Sequence, residues 1–192
     1  MLISPMTELE AVNTMLSIIG ESPVSTLEDS GLVDAVTALM ILRSVSREVQ
    51  SQGWHWNTDK GVKITPSFPD KFLFVPQNTL RVDTVGSSQD LDVAQRGLRL
   101  WDRRKHTFTF SQTATVDLTL GLSFDDLPEP ARQYITIRAA RTFQERVLGS
   151  EVLASFGDND EFQARANLLE DETDSADYNL MNNWAVARIL QR

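Results

Sequence analysis

The chain has no cysteine. Disulfides, thiolate metal sites, iron–sulfur clusters and cysteine nucleophiles are excluded, and the redox compartment stays open. Histidine is scarce: only His55 and His106 among 192 residues. Neither has a second histidine at metal-ligand spacing. No H-E-x-x-H, G-x-S-x-G, Walker or dinucleotide-binding glycine pattern is present. The reading therefore expects no cofactor, no metal and no catalytic residue. No apolar run approaches the roughly 20 residues that span a bilayer. Glu8 and Glu10 stand where a signal peptide would be basic. A soluble chain made in a cytoplasm, with no membrane partner, is expected.

Positive charge is also in short supply. Eighteen Lys+Arg stand against 27 Asp+Glu, a net charge of −9. Phosphate neutralisation supplies most nucleic-acid affinity, so the balance opposes a DNA-gripping protein. It leaves room for DNA passing nearby, because an acidic wall repels phosphate. Apolar residues make up 41% and charged residues 23%, as in an ordinary globular domain. The length suits one domain, or one domain carrying an insertion, and can bury a core without staples.

What is present is strongly patterned at the start. Thr7-Glu8-Leu9-Glu10 is a capping-box sequence. Leu9, Val12, Leu16 and Ile19 recur at helical spacing, and Gly20 ends the run. Glu21-Ser22-Pro23 breaks the chain. A second start signal lies at Asp29-Ser30, followed by Val33, Val36, Leu39, Met40, Leu42, Val45 and Val49, and Gly53 closes that helix. About ten residues join the two helices, so they are free to lie antiparallel.

From about Gly61 to Leu122 the period changes to two. Val62–Thr65, Leu80–Val85, Thr107–Phe110 and Thr115–Leu120 alternate and are rich in β-branched and aromatic residues. Arg96-Gly97 and Asp102-Arg103-Arg104 read as turns around a short strand, Leu98 to Trp101. Helical spacing returns after Leu127-Pro128-Glu129-Pro130 and runs to Gly149. A fourth helix is expected from about Asp158 to Glu172, with Phe162, Ala166 and Leu169 as its apolar stripe. The expected fold is α+β, mainly α. It is an antiparallel helical bundle (1–60 and 123–175) with an inserted small antiparallel β-subdomain (61–122). An extended C-terminal docking segment (176–192) follows.

Charged groups offer several readings. Nine Asp+Glu and only Arg165 as a base fall between Glu151 and Asp177. That is a solvated helix face, or an electronegative surface meeting a basic partner or lining a DNA conduit. Its Glu170-Asp171-Glu172-Asp174 run lacks the D-x-D-x-D-G loop of a calcium site. Arg96, Arg99, Arg103, Arg104 and Lys105 form a basic patch around Trp101, and Arg138, Arg141 and Arg146 raise the same option on the third helix. Glu48, Asp59, Asp70, Asp83 and Glu129 lie near Trp54, Trp56 and Trp101 in the sequence, so a carboxylate pair cutting a stacked glycan is an alternative.

The residues that narrow these readings lie in the helix-break-helix segment. They are Glu8–Asn13, then Ile19-Gly20-Glu21-Ser22-Pro23-Val24-Ser25-Thr26-Leu27-Glu28, then Ser46–Trp54. The segment resembles the tail tubular protein A family of short-tailed phages, of podovirus and autographivirus type. Gly20, Glu21, Pro23, Gly53 and Trp54 carry the likeness. It covers the first 54–57 residues and returns at Asp125–Glu129, in the next helix, and in an acidic helix followed by Tyr178-Asn179. Residues 61–122 match in texture.

The resemblance implies a structural virion protein, not an enzyme: a head-to-tail adaptor or gatekeeper. Such members form a dodecameric ring between the portal and the nozzle, tail tubular protein B. DNA leaves through the ring, and tail fibres attach near the adaptor–nozzle junction. Trp184, Val186, Ile189 and Leu190 would then dock on the portal. Arg96, Arg99, Trp101, Arg103 and Arg104 would contact the nozzle or a neighbouring subunit. A virion-associated glycan hydrolase is the alternative, alone or as a second activity.

Overall fold

A computed structural model describes residues 4–28, 32–148 and 151–175. It is a mixed α+β fold. Four helices are present: α1 (Glu8–Ile18), α2 (Val33–Gln50), α3 (Glu129–Leu148) and α4 (Glu151–Ser175). The strands are β1 (Thr58–Ile64), β2 (Thr79–Thr84), β3 (Val93–Arg96), β4 (Arg99–Asp102) and β5 (Ala114–Leu120). Two compact units result, Met1–Leu42 with Pro128–Arg192, and Arg43–Leu127.

In the first unit, α1 starts as its sequence dictates. Thr7 Oγ1 accepts the Glu10 N–H at 3.2 Å, and Glu10 Oε2 accepts the Thr7 N–H at 2.8 Å. The buried face is Ala11, Val12, Met15 and Leu16. At its end Gly20 adopts φ +81°, which costs glycine little. The Gly20 N–H donates to Ser17 O at 3.2 Å and the Glu21 N–H to Leu16 O at 3.1 Å. This is a Schellman closure. Asn13 then holds the following turn by two bonds to Val24, Nδ2 to its carbonyl at 3.0 Å and Oδ1 from its N–H at 2.8 Å.

The close helix pairs of this unit are α1 with α3 and α3 with α4; α1 and α2, which the short connection left free to fold back, are not among them. Residues ahead of α1 explain the first pair. The Met6 N–H donates to Glu129 Oε2 at 2.9 Å, and Met6 O accepts from Arg132 Nη1 at 2.6 Å. Salt bridges join α3 to α4: Arg141 Nη1 lies 2.8 Å from Glu161 Oε2, and Arg138 Nε 4.0 Å from Glu161 Oε1. Those arginines are committed inside their own unit.

Helix α4 departs from expectation twice. It begins at Glu151 rather than near Asp158. Among its described side chains Ala164 and Leu168 are buried, whereas Phe162 and Leu169 are 75% and 47% exposed. Glu161, which meets Arg138 and Arg141 of α3, shares one helix face with Ala164 and Leu168, and Phe162 and Leu169 lie off that face. The start signal at Asp29-Ser30, Gly149 and the segment 176–192 lie outside the described residues.

In the second unit β5 is central, in the order β1-β5-β2, all antiparallel. Its inward residues Ala114, Val116 and Leu118 join Leu73, Val75, Leu100 and Phe110 in one core. β1 starts at Thr58, earlier than the alternation shows, because a bulge between Asp59 and Val62 shifts its register. Gly61 sits there at φ +67°, its N–H held by Asp117 Oδ1 at 2.8 Å. β3 and β4 form a hairpin closed by Gly97-Leu98, with Gly97 at φ +64°. β3 is not visible as an alternating run. Conversely, Thr107–Phe110 alternates but is not a strand. It makes only isolated bridges, Thr107 to Asp102 and Thr109 to Phe72, because a four-residue turn (103–106) brings it straight back on β4.

Candidate functional interface

The end of α2 shows why its sequence is so particular. Gly53, again at φ +81°, donates to Gln50 O at 3.2 Å. The next residue, Trp54, is buried and gives its indole N–H to Val49 O at 2.8 Å. In α1 the equivalent carbonyl takes a backbone N–H. Here the indole replaces it, and the Trp54 backbone N–H goes to Asn57 Oδ1 at 2.8 Å. Asn57 Nδ2 donates to Gln50 O and Leu120 O, both at 2.9 Å. The Gln50 side chain pairs with both backbone groups of Leu122, Oε1 from its N–H at 2.7 Å and Nε2 to its O at 3.2 Å. Gln50 and Asn57 are nearly inaccessible to solvent, so these bonds satisfy groups that water cannot reach. This buried network ties the helix end to the end of β5. Gly53 and Trp54 were singled out by sequence; Gln50 and Asn57, which do most of the bonding, were not.

A different surface forms on the β3–β4 hairpin. Arg99 and Trp101 alternate with buried Leu100 and Asp102, so they share the outward face of β4. Arg96 stands directly opposite Arg99. Two aromatic residues complete the surface from neighbouring segments. Phe72 comes from the strand-like run whose Phe74 bridges Arg99, and Phe108 from the return after β4. The Arg96 guanidinium lies 4.3 Å from the Trp101 ring centre, and Arg99 lies 4.3 Å from Phe108 and 5.0 Å from Phe72. Trp101 and Phe108 meet edge to face at 4.6 Å. Two cations thus sit on a platform of three rings.

Like charges directly opposite on a hairpin repel. Among the described residues no carboxylate is within ion-pair distance of Arg96 or Arg99. The stacked pair is therefore able to receive an anionic group. Arg103 is not part of it, because it pairs with Asp92 at 3.2 Å. The backbone N–H groups of Arg104 and Lys105 donate to the buried Asp102 Oδ1 at 2.9 and 2.8 Å, which fixes the turn. The sequence cluster of five thus resolves into Arg96, Arg99 and Trp101 on the platform and Arg103 and Arg104 at the neighbouring turn. Phe72 and Phe108 were missed; the runs Phe72-Leu73-Phe74 and Thr107-Phe108-Thr109-Phe110 are the signal that could have found them. The expected portal-docking residues Trp184, Val186, Ile189 and Leu190 lie outside the described residues.

Two residues of the glycan reading are engaged elsewhere. Trp54 is buried and cannot stack a sugar. Glu129 is bonded to the Met6 N–H and to Gln133. Among the described residues no group of three or more histidines and carboxylates could hold a metal ion, and no helix is long and apolar enough to cross a membrane.

Comparison with known proteins decides the family. A family model described as tail tubular protein matches residues 9–178. The chain belongs to the tail tubular protein family. It is also 31% identical to the "Tail tubular protein A" of Klebsiella phage KP34 over 130 residues, 68% of this chain and 67% of that one. Residues 9–178, which the family model matches, take in the glycines that end both helices, the buried Gln50–Asn57 network and the arginine platform. As a tail tubular protein, the chain is a structural component of a phage virion tail and works in complex with other virion proteins.

Proposed function

We propose that this tail tubular protein is the head-to-tail adaptor of its virion. Copies close into a ring, dodecameric as in the A-type members it resembles. The ring joins the portal above to the nozzle, tail tubular protein B, below. Genomic DNA passes through the channel without sequence-specific binding during ejection, and tail fibres attach close to the nozzle junction. The helices form the antiparallel bundle of the ring body, residues 61–122 its inserted β-subdomain, and 176–192 a docking segment that reaches the portal through Trp184, Val186, Ile189 and Leu190. The chain is made in the host cytoplasm and acts without catalysis.

The family match across residues 9–178 carries this reading. The net charge of −9 supports it, since a channel wall for DNA gains from repelling phosphate. The platform of Arg96, Arg99 and Trp101 gives a contact for an acidic group on the nozzle or a neighbouring subunit, flanked by Arg103 and Arg104. The test is co-sedimentation of the chain with the portal protein of the same virus. Binding is expected, and loss of Ala185–Arg192 should weaken it more than it lowers folding stability. A chain that never associates with its portal would end the adaptor reading.

A further inference from the structure

On the β3–β4 hairpin Arg96 lies over Trp101 and Arg99 over Phe108, and those two rings meet at 4.6 Å. Stacking occupies the flat face of a guanidinium and leaves its N–H rim free to bind a carboxylate. It also fixes two long side chains in advance, so a partner need not order them. Arg96 and Arg99 stand directly opposite each other, about 5 Å apart at the backbone. Among the described residues no carboxylate is within ion-pair distance of either. The complement is two carboxylates at a similar spacing on a rigid support.

Helix α4 presents such a pair. Glu170 and Asp174 are exposed and one turn apart, which puts their Cβ atoms about 5–6 Å from each other. They lie off the face that buries Ala164 and Leu168. Arg165 is the only Lys or Arg of the helix, and it stands about 140° and 180° round the axis from them. Among the described residues neither carboxylate has an ion-pair partner. No other pair of exposed, uncommitted carboxylates one turn apart occurs on the described helices. We infer that Glu170 and Asp174 of one copy meet Arg96 and Arg99 of the next. The inference rests on the ring reading above and names one of its contacts.

The occupant is a second copy because every chain carries both halves. A head-to-tail contact needs two different, complementary surfaces on each subunit. Charge demands the same. Each copy has a net charge of −9, so copies repel as wholes and associate where local patches differ in sign. The platform is such a patch, and the end of α4 is its opposite. Charge pairs of this kind fix partner and register more than they add affinity.

The test uses two full-length variants, Arg96→Glu/Arg99→Glu and Glu170→Arg/Asp174→Arg, assembled at rising concentration, alone and on the portal of the same virus. Thermal melts check that each is folded. Arg96→Glu alone replaces the first variant if losing both stacked arginines unfolds the hairpin. Each variant by itself faces like with like and should need about tenfold more protein to assemble. An equimolar mixture should recover, because alternating copies make every junction complementary, and the fourfold variant should recover unmixed. If either variant assembles as the parent does, the contact is wrong while the ring stands. Loss of nozzle capture, or of DNA retention, by the arginine variant would then assign the platform to that occupant and overturn the inference. Recovery by the fourfold variant without recovery by the mixture would place the pair within one chain, and the inference falls. It also falls if folded variants fail and nothing restores them, since the two patches then serve separate contacts. If the parent chain stays monomeric alone and on its portal, the ring reading and this contact fall together.

Discussion

Gly20 and Gly53 follow α1 and α2 with the same backbone angle, φ +81°, and each donates its N–H to the carbonyl three residues back. Their surroundings differ. A Cβ built on Gly20 would meet nothing within 4 Å, whereas one on Gly53 would lie 3.3 Å from Thr119 Oγ1. The closing bond after Gly20 is a backbone N–H, from Glu21. After Gly53 it is an indole N–H, from Trp54, and the freed backbone N–H is taken over by Asn57. Each turn is also braced by an asparagine. Asn13 reaches eleven residues along the chain to Val24 from a half-buried site, and Asn57 reaches sixty-three to Leu120 from a buried one. One local device serves in the first case to redirect the chain and in the second to weld a helix to a sheet.

The sharpest test of that contrast is the same substitution at both asparagines. Asn57→Asp keeps the acceptor for Trp54 but turns a carboxylate oxygen toward the Gln50 and Leu120 carbonyls. A buried charge facing two acceptors should cost about 3–4 kcal/mol. Three of the four tryptophans (54, 56 and 101) belong to the second unit, so their fluorescence in a urea titration reads the loss directly. Acidification should narrow the deficit, since a protonated carboxyl donates again. An unchanged midpoint would show that the network is not what holds the helix to the sheet.

Gly53→Ala is expected next in size. It adds the left-handed strain of a non-glycine residue, about 1–2 kcal/mol, and pushes a methyl against Thr119. A total of about 2 kcal/mol, with Thr119→Ser or Thr119→Ala unable to restore the strain part, would fit. Gly20→Ala carries only the strain and should cost about 1 kcal/mol. If the two glycine variants lose equally, the contact with Thr119 adds nothing and the turns are alike.

The turns also mark how far sequence reasoning reached. Thr7, Glu10, Gly20 and Gly53 act within a few residues of themselves, and their roles were readable from spacing. Gln50 and Asn57 act on Leu122 and Leu120, more than sixty residues away, and no local pattern points there. The same limit split the arginine platform. Arg96, Arg99 and Trp101 cluster in sequence, while Phe72 and Phe108 arrive by long-range pairing. Helix α4 failed for another reason. Phe162, Ala166 and Leu169 keep helical spacing, but the face that carries Glu161 against Arg138 and Arg141 buries Ala164 and Leu168 instead. Thr107–Phe110 shows the converse, since alternation predicts exposure, not ladder partners.

The smallest effect is expected at the other asparagine. Asn13→Asp retains the bond from the Val24 N–H and loses only the donor to the Val24 carbonyl. The site is half-buried, so water can solvate the new carboxylate and the orphaned carbonyl. A cost of about 0.5–1 kcal/mol follows, the net worth of one exchanged hydrogen bond. The ratio between the two Asn→Asp variants is then the quantity of interest. A several-fold difference means that burial, not the turn geometry the sites share, decides what each asparagine contributes. Near-equal losses would mean that Val24 is held as firmly as Leu120, and that the opening helix-break-helix is as rigid a part of the protein as the helix–sheet weld.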